Sequence, residues 1–491
     1  MRYISTRGAI PKDTSSAYAI KTGLASDGGL FMPERIPEIT LDEIAAMAND
    51  TYPVRAAKIL SKYLTDYTYE ELLTDAENAY SSFFDFPAKV TPLGDGYMLE
   101  LWHGPTCAFK DMALQIMPRL FVRALKKCSE ERTAMILVAT SGDTGKAALE
   151  GYRDVPGTKI KVFYPIDGVS RVQKLQMQTQ EGGNVSVVGI VGNFDDAQNG
   201  VKKIFSDANI KRALDSEGVF LSSANSINWG RLVPQIVYYI SAYCDIVKTG
   251  GIKLGEELDV CVPTGNFGNI FACYLAKRMG LPVGRLICAS NSNDVLTDFF
   301  KSGIYDRNRS FRTTMSPSMD ILISSNLERL LYVTLGSQKT AEYMSKLAEC
   351  GRYELSDEDY GLVCADFVGF ASSEEETAKT IKSTYENENC LIDTHTAVAV
   401  SATHKYKNTN KAERRILTVS TASAYKFAKD VYASLANDEP KDDLLALVML
   451  NKLTSVEIPA PLSNIGERRV IFGESINKDL MEDSVRDFAK A

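Results

Sequence analysis

Asp259-Val260-Cys261-Val262-Pro263-Thr264-Gly265-Asn266-Phe267-Gly268-Asn269 reads as a short apolar strand, a glycine-rich loop and the first turn of a helix that runs on through Ile270 to Met279. Glycines let successive backbone N–H groups converge on one anion. The start of the following helix adds unpaired donors and the positive end of its dipole. The stretch therefore marks one strand-to-helix unit of an α/β fold and outlines a phosphate cup at the strand's C-terminal end. A single glycine-rich turn of this kind is equally well a tight connection, so the reading needs company.

Outward from it, short β-branched runs alternate with helical stretches: Met135–Val138, Ile160–Phe163, Val185–Val188, Leu286–Cys288 and Ile416–Val419. Such alternation implies parallel sheets covered by helices on both faces, with ligands at the C-terminal ends of the strands. Before them, residues 41–84 are polar and apolar at helical spacing and poor in glycine, which predicts a helical N-terminal subdomain. Thr91-Pro92-Leu93-Gly94-Asp95-Gly96 ends it as a turn cluster. Residues 294–389 are richer in charge and helical patterning and read as an insertion or a peripheral lobe.

At 491 residues the chain exceeds what one hydrophobic core supports, so two or three packed subdomains are expected. Hydrophobic residues at 45% and charged residues at 24% match soluble globular averages. The net charge of −8 comes without a basic block, which excludes a nucleic-acid reader. Nine cysteines without a C-x-x-C pair argue against a zinc site or a redox motif, and three histidines make a His-based metal site improbable. The N-terminal stretch lacks the apolar run of a signal peptide and no segment is apolar for long enough to cross a bilayer. A cytoplasmic protein with a small-molecule substrate, acting as a monomer or homodimer, is the expectation.

Four further segments carry chemistry. In His103-Gly104-Pro105-Thr106-Cys107-Ala108-Phe109-Lys110-Asp111 a lysine follows a Gly-Pro turn and an apolar approach, at the mouth of a helix expected over Met112–Lys127. Burial destabilises an ammonium and frees the amine for Schiff-base formation, although a lone lysine is far more often a solvated surface residue. Ala139-Thr140-Ser141-Gly142-Asp143-Thr144-Gly145-Lys146 superficially resembles a nucleotide-binding loop. It fails at two positions: Thr140 stands where the first glycine belongs and Ala147 where a magnesium-binding hydroxyl belongs. Its hydroxyls and backbone donors can instead grip a carboxylate or a phosphate, or cap a helix. Asn225-Ser226-Ile227-Asn228-Trp229-Gly230-Arg231 offers amides, a hydroxyl and a guanidinium suited to a phosphate, or a helix cap with a surface arginine. Ile416–Val419 ends in Ser420-Thr421, placing a hydroxyl at another strand end. No H-E-x-x-H, G-x-S-x-G or G-x-G-x-x-G pattern supports a competing enzyme class.

In this order the segments resemble the threonine synthase family of pyridoxal-phosphate (PLP) enzymes of fold type II. The likeness begins at Tyr3–Gly8 and Leu24–Pro33 and runs through the Lys110 motif, Ser141–Gly145, Asn225–Arg231 and Gly265–Asn269. It ends with Ser316-Pro317-Ser318-Met319-Asp320 and Asp393-Thr394-His395-Thr396-Ala397. One departure stands out: the family often reads Thr-Ala-His-Pro-Ala-Lys-Phe after the last strand, and Thr421-Ala422-Ser423-Ala424-Tyr425-Lys426-Phe427 keeps the ends and changes the middle.

The resemblance implies two doubly wound α/β sheet domains of the tryptophan-synthase-β-like class. The expected boundaries are 1–92 for the helical N-terminal subdomain, 93–130 with 230–491 for a large PLP-binding domain that includes the inserted lobe, and 131–229 for a small domain. It implies that Lys110 binds the cofactor's aldehyde, that Gly265, Asn266, Phe267, Gly268 and Asn269 hold its phosphate, that Thr421 faces its pyridine nitrogen, and that Asp143 lies with it. Ser141 and Thr144 would contact a substrate carboxylate, and Ser226, Asn228 and Arg231 a leaving phosphate. The implied reaction is that of a carbon–oxygen lyase acting on phosphates, converting O-phospho-L-homoserine and water to L-threonine and phosphate. The rivals are a related phospho-lyase acting on O-phosphothreonine, a threonine dehydratase, and a PLP- or phosphate-binding module without catalysis.

Overall fold

A computed structural model describes residues 1–140, 142–167, 169–411 and 413–491. The apolar strand Leu258–Pro263 is buried along its whole length. It lies third in a six-stranded sheet ordered Phe367–Ala371, Val283–Ser290, Leu258–Pro263, Ile416–Ser420, Gly96–Glu100 and Lys89–Leu93. All neighbours pair in parallel except the last, which returns antiparallel through a hairpin. Successive side chains point to opposite faces of a strand, and both faces are covered here. Cys261, Ile287 and Ala289 pack on Val398, Ala399 and Ala402 of the helix Thr394–Asn410. Val260, Val262 and Cys288 join the larger core that holds the helices Pro234–Lys248 and Gly268–Met279.

A second sheet, parallel throughout, is ordered Ser475–Asn477, Val185–Val191, Thr158–Pro165, Thr133–Ala139 and Val219–Ser222. The helices Leu41–Ala46, Tyr52–Tyr63 and Tyr69–Tyr80 form the expected N-terminal helical region. The first and third start in capping boxes, Thr40 with Glu43 and Thr68 with Glu71, which satisfy amides that the helix itself leaves unpaired. Among the described residues no helix is long and apolar enough to cross a membrane.

Four local expectations change. The C-terminal segment does not stay with the large sheet: Ser475–Asn477 pairs with Val185–Val191, and Met481 and Val485 of the following helix pack into the small sheet's core. A three-residue strand carries no apolar run to announce it. Residues 294–389 are not peripheral, because they supply Phe367–Ala371, an edge strand of the large sheet. The helix expected over Met112–Lys127 is two helices, Asp111–Leu114 and Met117–Lys127, the second opening with Pro118 in its first turn, where the missing N–H costs nothing. Thr91–Gly96 is only in part a turn, since Gly94 and Asp95 alone join the two hairpin strands.

Candidate active site

The loops nominated from sequence all leave the C-terminal ends of strands, as parallel α/β sheets require. Lys110 is brought to the end of Ile416–Ser420 by its own approach. The Phe109 N–H donates to the Thr421 carbonyl at 2.8 Å and the Ser423 N–H to the Cys107 carbonyl at 3.1 Å. Ala108 and Ala422 bridge between them. Cys107 takes φ of 58°, a left-handed turn that lets the chain lie along that strand end. The Lys110 motif and Thr421 are thus joined by main-chain bonds.

Lys110 is 9% exposed. Its Nζ donates to Ser318 Oγ at 3.4 Å, lies 3.8 Å from Asp143 Oδ2, and sits 4.7 Å from the centre of the Phe109 ring. Burial, helped by the positive charges of Arg231 and Lys426, outweighs the pull of Asp143 and Asp393 and pushes the amine down to about 8. An ordinary lysine titrates near 10.4, so this one is a usable nucleophile close to neutral pH.

The cup fits a phosphate. None of the backbone N–H groups from Gly265 to Asn269 donates to another group among the described residues. Asn269 Oδ1 takes the hydroxyls of both Tyr238 and Tyr239, and its buried amide nitrogen has no partner among the described residues. A Cβ on Gly265 would stand 2.7 Å from the Ser318 carbonyl oxygen, so only glycine allows that approach. Phe267, with φ of 63°, turns the chain into the helix. The loop is held from behind: Asn326 donates its N–H and its side-chain amide to the Asn266 carbonyl at 3.1 and 2.9 Å. Ser324 Oγ donates to the Gly265 carbonyl at 2.8 Å.

Arg231 is buried and has no carboxylate within ion-pair distance among the described residues. Among the described residues its guanidinium donates only to the Ala224 carbonyl at 2.9 Å and to Thr144 Oγ1 at 3.3 Å. Burial pushes its guanidinium down to about 10. An uncompensated buried cation of this kind is a site for an anion. Ser226 Oγ lies 3.4 Å from Ser325 Oγ. Asn228 is different. Its Oδ1 caps the short helix Trp229–Leu232 through the Gly230 N–H at 2.8 Å, and its Nδ2 donates to the Ile20 carbonyl at 2.9 Å. Its Oδ1 and one of its two amide N–H groups are therefore spent on holding the turn that places Arg231.

In the loop after Thr133–Ala139, Thr140 Oγ1 accepts the N–H groups of Gly142 and Gly145 at 3.0 and 2.9 Å, so the loop spends those amides on itself and is no phosphate cradle there. Ser141 lies outside the described residues. Asp143 accepts Gln173 at 2.8 Å and Lys426 at 2.9 Å on one oxygen, and Ser318 Oγ at 3.3 Å on the other. Burial alone would raise its carboxyl, but Lys426 and then Lys110 outweigh this and hold it far below the usual range.

Several site residues escaped the sequence reading. Ser318 is set by His395, whose Nε2 accepts the Ser318 N–H at 3.1 Å while Nδ1 meets Asp393 Oδ2 at 2.8 Å. An Nε2 that accepts leaves the ring proton on Nδ1, facing Asp393. Ser318 and His395 lie in segments quoted for their resemblance alone. Lys426 lies in the retained end of the Thr421–Phe427 stretch, quoted likewise for its resemblance alone, while Gln173 and Asn326 had no local signal.

Residues 2–80 match the family described as threonine synthase N terminus, and residues 97–422 the family of pyridoxal-phosphate dependent enzymes. The threonine synthase of Pseudomonas aeruginosa is 38% identical over 441 residues, 88% of this chain and 90% of that protein. The chain belongs to the threonine synthase family of pyridoxal-phosphate dependent enzymes. The PLP-bound threonine synthase of Brucella melitensis superposes with a TM-score of 0.88 at 35% identity, covering 100% of both chains. The fold-type II reading stands on that match. Human threonine synthase-like 1 is 40% identical over 456 residues, 88% of this chain, and the chain spans 60% of that relative's length. The cofactor of this family member is pyridoxal 5′-phosphate. The partnerless donors of Gly265–Asn269 beside the buried amine of Lys110 fit it.

Proposed function

We propose that the protein is a threonine synthase, converting O-phospho-L-homoserine and water to L-threonine and inorganic phosphate. One observation carries the reading: a buried amine of lowered basicity has within its site both a cup of free backbone donors and a buried arginine without a carboxylate. Two anion sites suit a phosphorylated cofactor together with a phosphorylated substrate. A dehydratase has no use for the second.

Lys110 would bond the cofactor's aldehyde, Gly265 to Asn269 would hold its phosphate, Thr421 would face the ring nitrogen, and Asp143 would lie beside it. When bound, pyridoxal phosphate supplies a conjugated ring that takes up the electron pair left on the substrate carbon. With its amine free, Lys110 would remove a proton from Cα and then one from Cβ, the work of a base poised near neutral pH. Phosphate leaves Cγ with the electron pair of its C–O bond, and Arg231 with Ser226 balances the departing charge. One proton would then return to Cγ, which becomes the methyl group; water would add its hydroxyl at Cβ and give its proton to the released phosphate, and the second proton would return to Cα. Thr144, with Ser141 three positions before it in the chain, would meet the substrate carboxylate, and Asn228 supports Arg231 from behind. We place the enzyme in the cytoplasm, as a monomer or homodimer. Its nine cysteines are free, as in a reducing compartment.

Incubation with phosphohomoserine should yield threonine and phosphate in equal amounts. Release of a keto acid from O-phosphothreonine, without threonine formation, would replace this reading with that of a phospho-lyase. Lys110→Ala should lose the absorbance of the lysine-bound cofactor, and an unchanged spectrum rejects the assignment of Lys110.

A further inference from the structure

Lys426 is fully buried, and its ammonium spends its three N–H groups on Asp143 Oδ1, Gln176 Oε1 and the Thr106 carbonyl, each at 2.9 Å. Lys110 stands farther from the same carboxylate, at 3.8 Å, and reaches hydroxyl Ser318 first. Two lysines thus share one aspartate, and the geometry awards it to the one that does no chemistry.

The charges around Lys110 make the consequence plain. Asp143 and Asp393 are the carboxylates that bear on it, and Arg231 and Lys426 are the cations. His395 stands behind Ser318, with Nε2 accepting the Ser318 N–H and Nδ1 against Asp393. The two negative and two positive charges that bear most on Lys110 offset one another, and buried Asp111 is tied to Thr106 and Gln115 and feels Lys426, so a proton on Lys110 would add a poorly compensated charge to a dry site, which is costly.

We infer that Lys426 is a positioning residue for Lys110: by engaging Asp143 it deprives the reactive amine of a counter-ion and keeps it neutral. The depressed basicity of Lys110 agrees with this, since burial is its largest cause and Lys426 lowers it further. The inference rests on the reading of Lys110 as the lysine that takes the cofactor. It does not depend on which phosphorylated amino acid is the substrate.

The test follows uptake of pyridoxal phosphate by the full-length protein stripped of cofactor, read by absorbance between pH 6 and 10. Wild-type uptake should quicken with pH and level off near pH 8. Lys426→Met hands Asp143 to Lys110, so the levelling point should move up by about one unit, making uptake at pH 7.5 about tenfold slower. Lys426→Arg should keep the wild-type profile. A merely structural Lys426 would slow uptake equally at every pH, or lower thermal stability, with the levelling point unmoved, and either result overturns the inference. If Lys426→Met does not fold, Asp143→Asn decides: it leaves an excess cation, so the levelling point must fall, and a rise or no change refutes the charge argument. Wild-type protein that takes up no cofactor would sink the reading of Lys110 itself, a different failure.

Discussion

At the end of the strand Leu258–Pro263 an anion would meet neutral backbone donors from Gly265 to Asn269, whereas at the end of Val219–Ser222 it would meet the guanidinium of Arg231. The first site carries only dipoles, so it costs little to keep buried and stays organised whether or not anything is bound. The second carries a full charge with no carboxylate among the described residues to balance it, and burial lowers its basicity. A dipolar cup suits a resident group that stays through many turnovers. An uncompensated cation suits a group that arrives charged and leaves with more charge, because the anion relieves a cost that the empty site bears. The difference should show as two kinds of phenotype.

Arg231→Met should produce the larger. Losing one partner of a buried charge contact costs about 2–5 kcal/mol, about 30-fold to several-thousand-fold in kcat/KM on phosphohomoserine. Cofactor absorbance should be untouched. If the cofactor is lost instead, the assignment of the two anions to the two sites is broken.

Gly265→Ala attacks the other side. The added methyl stands 2.7 Å from the Ser318 carbonyl oxygen, a backbone atom that cannot swing aside. Overpacking of this kind costs about 1–3 kcal/mol, so the dissociation constant for pyridoxal phosphate, measured by equilibrium dialysis, should rise about tenfold. An unchanged constant would show that the loop is not where the cofactor phosphate rests.

A smaller effect sharpens the cup further. Tyr238 and Tyr239 both donate to Asn269 Oδ1, which orients the partnerless amide nitrogen of Asn269. The double change Tyr238→Phe with Tyr239→Phe removes that constraint at about 1 kcal/mol per bond. Cofactor affinity should drop severalfold, with either single change weaker because the other hydroxyl remains. Affinity equal to wild type in the double variant would remove Asn269 from the phosphate's donors.

What the sequence disclosed follows the range of each interaction. The strand Leu258–Pro263, its loop and its helix are local, as are the strands seeded by Met135–Val138 and Ile160–Phe163, so periodicity and glycine placement suffice to find them. The strand Phe367–Ala371 is five residues with glycine at its centre and lies in a charged helical stretch, which hides it. Ser318 reaches Lys110 across 208 positions and Lys426 reaches Gln176 across 250, and nothing in either neighbourhood announces its distant partner. The departure in Thr421–Phe427 falls on residues 423–425. Of these Tyr425 sends its hydroxyl to the Val456 carbonyl, away from Lys110, while the retained Lys426 turns to Asp143.

Asn228 shows the same limit within a single turn. Residue types alone group it with Ser226 and Arg231 as a phosphate ligand, but an asparagine directly before a helix is also an N-cap, and here its second amide atom is tied to Ile20. The two roles separate experimentally. Asn228→Ala removes the cap and should lower unfolding stability by about 0.5–2 kcal/mol, seen as a fall in denaturation midpoint. The Michaelis constant for phosphohomoserine should move far less than in Arg231→Met, since the anion loses no contact of its own. A Michaelis constant raised as much as by Arg231→Met, at unchanged stability, would return Asn228 to the list of groups that touch phosphate, and the grip would then rest on neutral donors as the cup does.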